Sequence, residues 1–209
     1  MPQHKLAFHN VEQNSDDWFA MRLGKATMSN GSKFMANLGK AFGDPAHAYA
    51  LKLALESIQG CKIGDSYSNA HMERGHEQEP IARDLYEQEY MVTVTNGGFF
   101  CNDRYGTSPD GLVGTDGLIE IKSVIYTTHH ATLKRAAPDP AYKWQLIGHL
   151  DCTGRDWVDF VSYCSEYPVN KQLLTYRVQR EDVLADIESL RTRRAEFLNL
   201  VDLKKAEIL

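Results

Sequence analysis

Apolar residues recur at helical spacing in several stretches of the chain and at strand spacing in others. Ser15-Asp16-Asp17 precedes Trp18, Phe19, Met21 and Arg22, which predicts an N-capped short helix. A second cap, Ser29 or Asn30, precedes Phe34, Met35 and Leu38. Residues 44–58 carry Ala48, Leu51 and Leu55 at i, i+3 and i+7, the spacing of one helix face. From Asn69 to about Tyr90 the pattern predicts a longer helix with Ile81, Ala82, Leu85 and Tyr86 on its apolar side. Pro80 lacks an amide donor and clashes with the preceding turn, so either a kink or a new helix start is expected there.

Residues 92–101 read as a strand, and two more flank Gly114-Thr115-Asp116-Gly117, whose Asp-Gly pair signals a hairpin. Tyr142 to Leu150 suits a helix ending near Gly154, with strands following at about 157–164 and 173–179. From Asp182 onward Val183, Ile187, Leu190 and Phe197 keep helical spacing among many charges. This order predicts a central mixed β-sheet flanked by helices, an α/β or α+β domain. No repeat, low-complexity tract or linker interrupts residues 1–209, so a single domain is expected. Its final helix, about 181–209, would pack on the core or on a neighbour.

Composition narrows the function. Of 209 residues, 43% are hydrophobic, enough for a real core. The opening segment holds polar residues where a signal peptide would be apolar, and no run is long enough to span a bilayer. A cytosolic protein without membrane partners is the expectation. Cys61, Cys101, Cys152 and Cys164 are scattered and form no C-x-x-C pair, which predicts reduced thiols and argues against an iron–sulfur cluster. The net charge of −5 is unlike that of a simple DNA binder, whose affinity comes from neutralising phosphates. Any DNA-binding charge must be concentrated in a groove or channel.

The candidate chemistry lies around the hairpin. Ser108-Pro109-Asp110-Gly111 precedes the turn, and Glu120-Ile121-Lys122 follows it within the apolar run Leu118, Ile119, Ile121, Val124, Ile125. On a strand Glu120 and Lys122 share one face and Ile121 takes the other. The hairpin brings Asp110 toward the charged face. Two carboxylates there suit magnesium, which takes oxygen ligands and keeps several waters. A neighbouring lysine can orient or deprotonate water and offset phosphate charge. Other residues are set aside: His129-His130 and His71/His76 lack further zinc-spaced ligands. Gly97-Gly98 and Gly114/Gly117 read as turn glycines, and Arg191, Arg193 and Arg194 as a solvated helix face.

The Asp110, Glu120-x-Lys122 pattern resembles the PD-(D/E)xK nuclease superfamily. Further motifs in order are similar to the lambda-type phage exonucleases, or YqaJ-like viral recombinase nucleases. These are Trp18-x3-Arg22-Leu23-Gly24-x2-Thr27-x-Ser29, Gly75-x3-Glu79, the two motifs above and Gln145. The likeness covers roughly residues 15–165. It implies a restriction-endonuclease-like core and a Mg²⁺-dependent 5′-to-3′ exonuclease, with Mn²⁺ as a substitute. The substrate would be linear double-stranded DNA, left with 3′ single-stranded tails for recombination by strand annealing. It further implies metal ligands at Asp110, Glu120 and the main-chain oxygen of Ile121, with Lys122 and Glu79 as catalytic groups. A 5′-phosphate pocket would be formed by Arg22, Ser29, Ser108 and Gln145. The implied partners are DNA ends, two further copies of the chain in a ring-shaped homotrimer, and a single-strand annealing protein. The setting would be the cytoplasm of a bacterial host, with the protein encoded by a phage or prophage. The alternatives are an endonuclease or single-strand-specific enzyme of the same superfamily, and a catalytically silent DNA-end-binding module.

Overall fold

The computed structural model describes residues 5–64 and 70–209, apart from the side chains of residues 70–73 and 76. In chain order, β1 (Ala7–His9) is followed by α1 (Asp16–Arg22), β2 (Ala26–Thr27), α2 (Gly31–Met35), α3 (Asp44–Gln59) and α4 (Ala70–Tyr90). Five strands follow: β3 (Val94–Asn96), β4 (Phe99–Cys101), β5 (Tyr105–Thr107), β6 (Gly111–Val113) and β7 (Gly117–Ser123). Then come α5 (Tyr126–Arg135), α6 (Lys143–Thr153), β8 (Trp157–Tyr163), β9 (Leu173–Gln179) and α7 (Leu184–Ile208).

The strands form two mixed sheets, ordered β1-β4-β5-β2 and β3-β6-β7-β8-β9. The expected mixed sheet is the five-stranded one. Its β7–β8 pair is parallel, which demands a long crossover, and α5 and α6 supply it. The smaller sheet was not anticipated, because β1 and β2 are too short to show a period. The single strand expected over 92–101 is two strands, one in each sheet. The break falls at Gly97-Gly98. A Cβ on Gly97 would lie 1.7 Å from the Pro109 carbonyl oxygen, and Gly98 has φ +56°. The Gly98 amide donates to Asn96 Oδ1 at 3.1 Å, and the glycines let the 108–110 segment pass against the backbone.

Alternation along β7 separates two cores. Leu118 packs with α3, α6 and α7 residues around Tyr49, Leu150, Leu190 and Phe197, while Ile119 and Ile121 pack with Ala82 and Tyr86 of α4. Glu120 and Lys122 therefore share the Leu118 face. Pro80 sits inside a single α4, at the cost of one amide donor.

Several local expectations need correction. Helix α3 occupies its predicted span, but its buried face is Ala46, Tyr49, Ala50, Leu53 and Ala54, while Leu51 is 42% exposed. Small alanines let α7 approach closely, with Tyr49 and Phe197 rings stacked at 5.5 Å. Asn30 stands at the N-cap of α2, but neither it nor Ser29 caps the helix with its side chain, since the chain enters through a 3-10 turn and both side chains turn to Thr27. The helix ends at Met35, leaving Leu38 half-exposed.

Arg191, Arg193 and Arg194 do not form a solvated face. Arg193 and Arg194 are buried. Arg193 donates to Phe34 O and Lys40 O, and Arg191 and Arg194 take opposite oxygens of Asp151. Packing of α7 onto α2, α3 and α6 overrides the charge pattern. The four cysteines are free, three of them buried. His129 is a core histidine, bonded to Ser162 Oγ and Lys171 O, whereas His71 and His76 lie outside the described side chains. Among the described residues no helix is long and apolar enough to cross a membrane.

Candidate active site

Asp110 stands just before β6. Its amide donates to Ile119 O, and its Oδ2 accepts from the Ile121 amide at 2.6 Å. The β6–β7 ladder ends at Gly111–Ile119, so the Asp110 side chain takes over where the backbone pairing stops. Ile121 N and O point to the same strand edge, which places the Ile121 carbonyl on the Asp110 side. Burial, then the charges of Glu120 and Glu79, pushes the Asp110 carboxyl well above its usual range, against the pull of Lys122.

Glu120 is 1% exposed, and both of its oxygens are engaged. Oε1 takes Lys122 Nζ and Gln145 Nε2, each at 2.5 Å, and Oε2 takes His149 Nε2 at 2.7 Å. Burial alone would raise its pKa, but the Lys122 ammonium and His149 outweigh it and hold the carboxyl at about 2. Burial disfavours the Lys122 cation, yet Glu120 and Asp110 raise its pKa overall. Glu79 faces this group from α4 and is bonded to Arg83 at 3.3 Å. Its pKa is raised, first by burial and then by Glu120, with Arg83 opposing. Arg83 also donates to Asp110 O at 2.6 Å, linking α4 to the hairpin.

A pocket of about 150 Å³ joins this centre to the α1–α2 region. Asp110, Glu120, Lys122, Arg22, Ser29, Ser108 and Gln145 all line it, and Glu79 does not. The Arg22 side chain has no hydrogen bond or ion pair among the described residues. Its guanidinium lies 3.9 Å over the Trp18 ring, and burial lowers its pKa to about 10. A partly buried guanidinium with its donors unspent suits an anion. Ser29 is exposed at the rim, beside Thr27 Oγ1 at 3.2 Å. Gln145 reaches the pocket, but one of its amide hydrogens is committed to Glu120.

Sequence reasoning missed His149, Thr107, Trp18 as a pocket wall, and Arg83. His149 had a usable signal, because it stands four residues after Gln145 and so on the same face of α6. Thr107, which meets His149 Nδ1 at 2.7 Å, belongs to a three-residue strand and gave none.

Among the described residues no three Asp, Glu, His or Cys side chains converge as a metal cluster. A cation here would rest on Asp110, Glu120 and the Ile121 carbonyl, with water completing the shell. An all-oxygen donor set of two carboxylates and a carbonyl fits magnesium or manganese and does not suit a soft metal.

Residues 17–156 match the model of the YqaJ-like viral recombinase domain, about two-thirds of the chain. The chain belongs to the YqaJ-like viral recombinase family. Among solved structures, this family member is similar to an alkaline exonuclease, LHK-Exo, from Laribacter hongkongensis. The identity is 35%, the TM-score is 0.78, and the match covers 93% of this chain and 98% of that one. The same enzyme in complex with dAMP gives 36% identity and a TM-score of 0.79 over the same shares. A phage-related exonuclease from Haemophilus somnus 129PT shares the fold, with TM-score 0.71 at 15% identity, covering 88% of this chain and 96% of that one. No curated protein sequence matches significantly. The fold is that of the alkaline exonucleases, and the likenesses support a phage-type nuclease.

Proposed function

We propose that this family member is a Mg²⁺-dependent 5′-to-3′ exonuclease. It degrades one strand of linear double-stranded DNA from a 5′-phosphorylated end and leaves a 3′ tail for strand annealing. The observation that carries this reading is one pocket holding both a carboxylate–lysine centre and the Arg22 guanidinium, which has no hydrogen-bond or ion-pair partner among the described residues. The first cuts a phosphodiester and the second anchors an end. Combining them places the scissile bond at a fixed distance from a terminus.

Asp110, Glu120 and the Ile121 carbonyl would hold the cation, which when bound supplies water activation and charge neutralisation. Mn²⁺ would substitute. Lys122, kept protonated by Glu120 and Asp110, acts as a fixed cation that positions the attacking water and offsets phosphate charge. Gln145 and His149, one turn apart on α6, grip both oxygens of Glu120 and fix its orientation. Glu79 adds negative charge behind the pair and helps orient the water. Arg22 and Ser29 supply donors to the terminal phosphate.

A ring of three copies would keep an acidic chain on its DNA by topology rather than by net charge, and an annealing protein would receive the tail. The proposal is tested with Mg²⁺ on linear duplex labelled at either end, beside a covalently closed circle. Loss of the 5′ label with the circle intact is expected. Nicked circles would replace this reading with an endonuclease, and no cleavage would replace it with a silent end-binding module.

A further inference from the structure

We infer that Trp18 is the positioning residue that sets the selectivity of the end-phosphate pocket, holding Arg22 and Ser108 with one side chain. The inference rests on the reading of this pocket as the 5′-phosphate site. Trp18 and Arg22 are four residues apart on α1 and so share one face. The helix start is fixed by Ser15, whose Oγ accepts from the Trp18 amide at 3.2 Å and donates to Glu12 O at 2.7 Å. The indole is buried against Phe99 and Cys101, so it is a firm platform.

Its face carries the Arg22 guanidinium. An arginine without a carboxylate partner needs another contact to hold its direction. A ring beneath it leaves the in-plane N–H donors free for an anion. The indole edge does a second task, since Nε1–H donates to Ser108 Oγ at 2.9 Å. Ser108 in turn donates its hydroxyl proton to Gly98 O at 2.6 Å. A hydroxyl has one proton. With that proton on Gly98 O, Ser108 locks the indole edge to the segment carrying Asp110, two residues on. One side chain thus sets the distance between the phosphate-binding cation and the hydrolytic carboxylates.

The test is the ratio of initial rates on linear duplex with 5′-phosphate and with 5′-hydroxyl ends, a quantity independent of the fraction folded. Trp18→Phe keeps a ring under Arg22 and removes the N–H. It and Ser108→Ala should each lower the ratio about 3- to 10-fold, the weight of one hydrogen bond. The double variant should lose no more than Ser108→Ala alone, because the same bond is removed once. Trp18→Leu, which also removes the ring, should lower the ratio about 10-fold further. An unchanged ratio in Trp18→Phe, or losses that multiply in the double variant, would overturn the inference. A wild-type ratio near one would instead overturn the phosphate-pocket reading on which it rests.

Discussion

Two clusters of buried charge meet helix α6, and they are built on opposite logic. At its C-terminal end Asp151 is fully buried, with Arg191 on one oxygen at 2.6 Å and Arg194 on the other at 2.8 Å. The Arg194 guanidinium also lies 3.8 Å over the Tyr105 ring. That cluster is closed: each charge has a partner, and it ties α7 to the core. Earlier on the same helix, Gln145 and His149 hold Glu120, which is just as buried. That cluster stays open. Asp110 is pushed toward protonation by burial and then by the neighbouring carboxylates, and Arg22, across the pocket, has no anion among the described residues. Burial of charge is therefore no mark of function by itself. What distinguishes a site is charge whose complement the chain does not supply.

The comparison can be broken from the open side first, where the largest effect is expected. Chelating divalent cations with EDTA should abolish cleavage, Mg²⁺ or Mn²⁺ should restore it, and Ca²⁺ should support DNA binding without turnover. A time course of duplex digestion in each buffer checks this, and rapid cutting in EDTA would remove the metal from the mechanism.

On the closed side the effect should fall on stability. Asp151→Ala strands Arg191 and Arg194 without their partner and should cost about 3–5 kcal/mol. For a chain of this size that is a drop of roughly 10 °C or more in melting temperature. Turnover per folded molecule should be retained. The smallest effect sharpens the contrast. Replacing Asp151, Arg191 and Arg194 together with apolar residues of similar volume should leave stability within about 2 kcal/mol of wild type, because a closed cluster can be exchanged as a unit. Chemical denaturation of both variants separates these outcomes.

The sequence made the longer elements legible, because helices α3, α4, α6 and α7 and strands β7, β8 and β9 are long enough to display a period. It misled where contact between elements decides. In α3 the buried face carries Ala46, Ala50 and Ala54 beside Tyr49 and Leu53, and Leu51 lies off it, since contact with α7 decides which face is covered. Arg193 and Arg194 look like surface residues until α7 is laid on α2, α3 and α6. The break at Gly97-Gly98 is set by the approach of Pro109 from elsewhere in the chain, which no local window contains.

For the site, family resemblance located seven residues that the structure places around one pocket. Their support was less visible. Trp18 was read as a motif position rather than as the platform for Arg22, and the Thr107–His149–Glu120 chain crosses from the small sheet through α6 to β7.

The central claim is that the open cluster performs the chemistry and the closed one only holds the fold. It is tested most directly by measuring Mg²⁺-dependent turnover per folded molecule for Lys122→Ala beside Asp151→Ala. Lys122→Ala should lose roughly 10³-fold in rate, the size expected when a catalytic charge is removed, while Asp151→Ala melts earlier but cuts normally once folded. Full activity in Lys122→Ala, or lost turnover in folded Asp151→Ala, would contradict it.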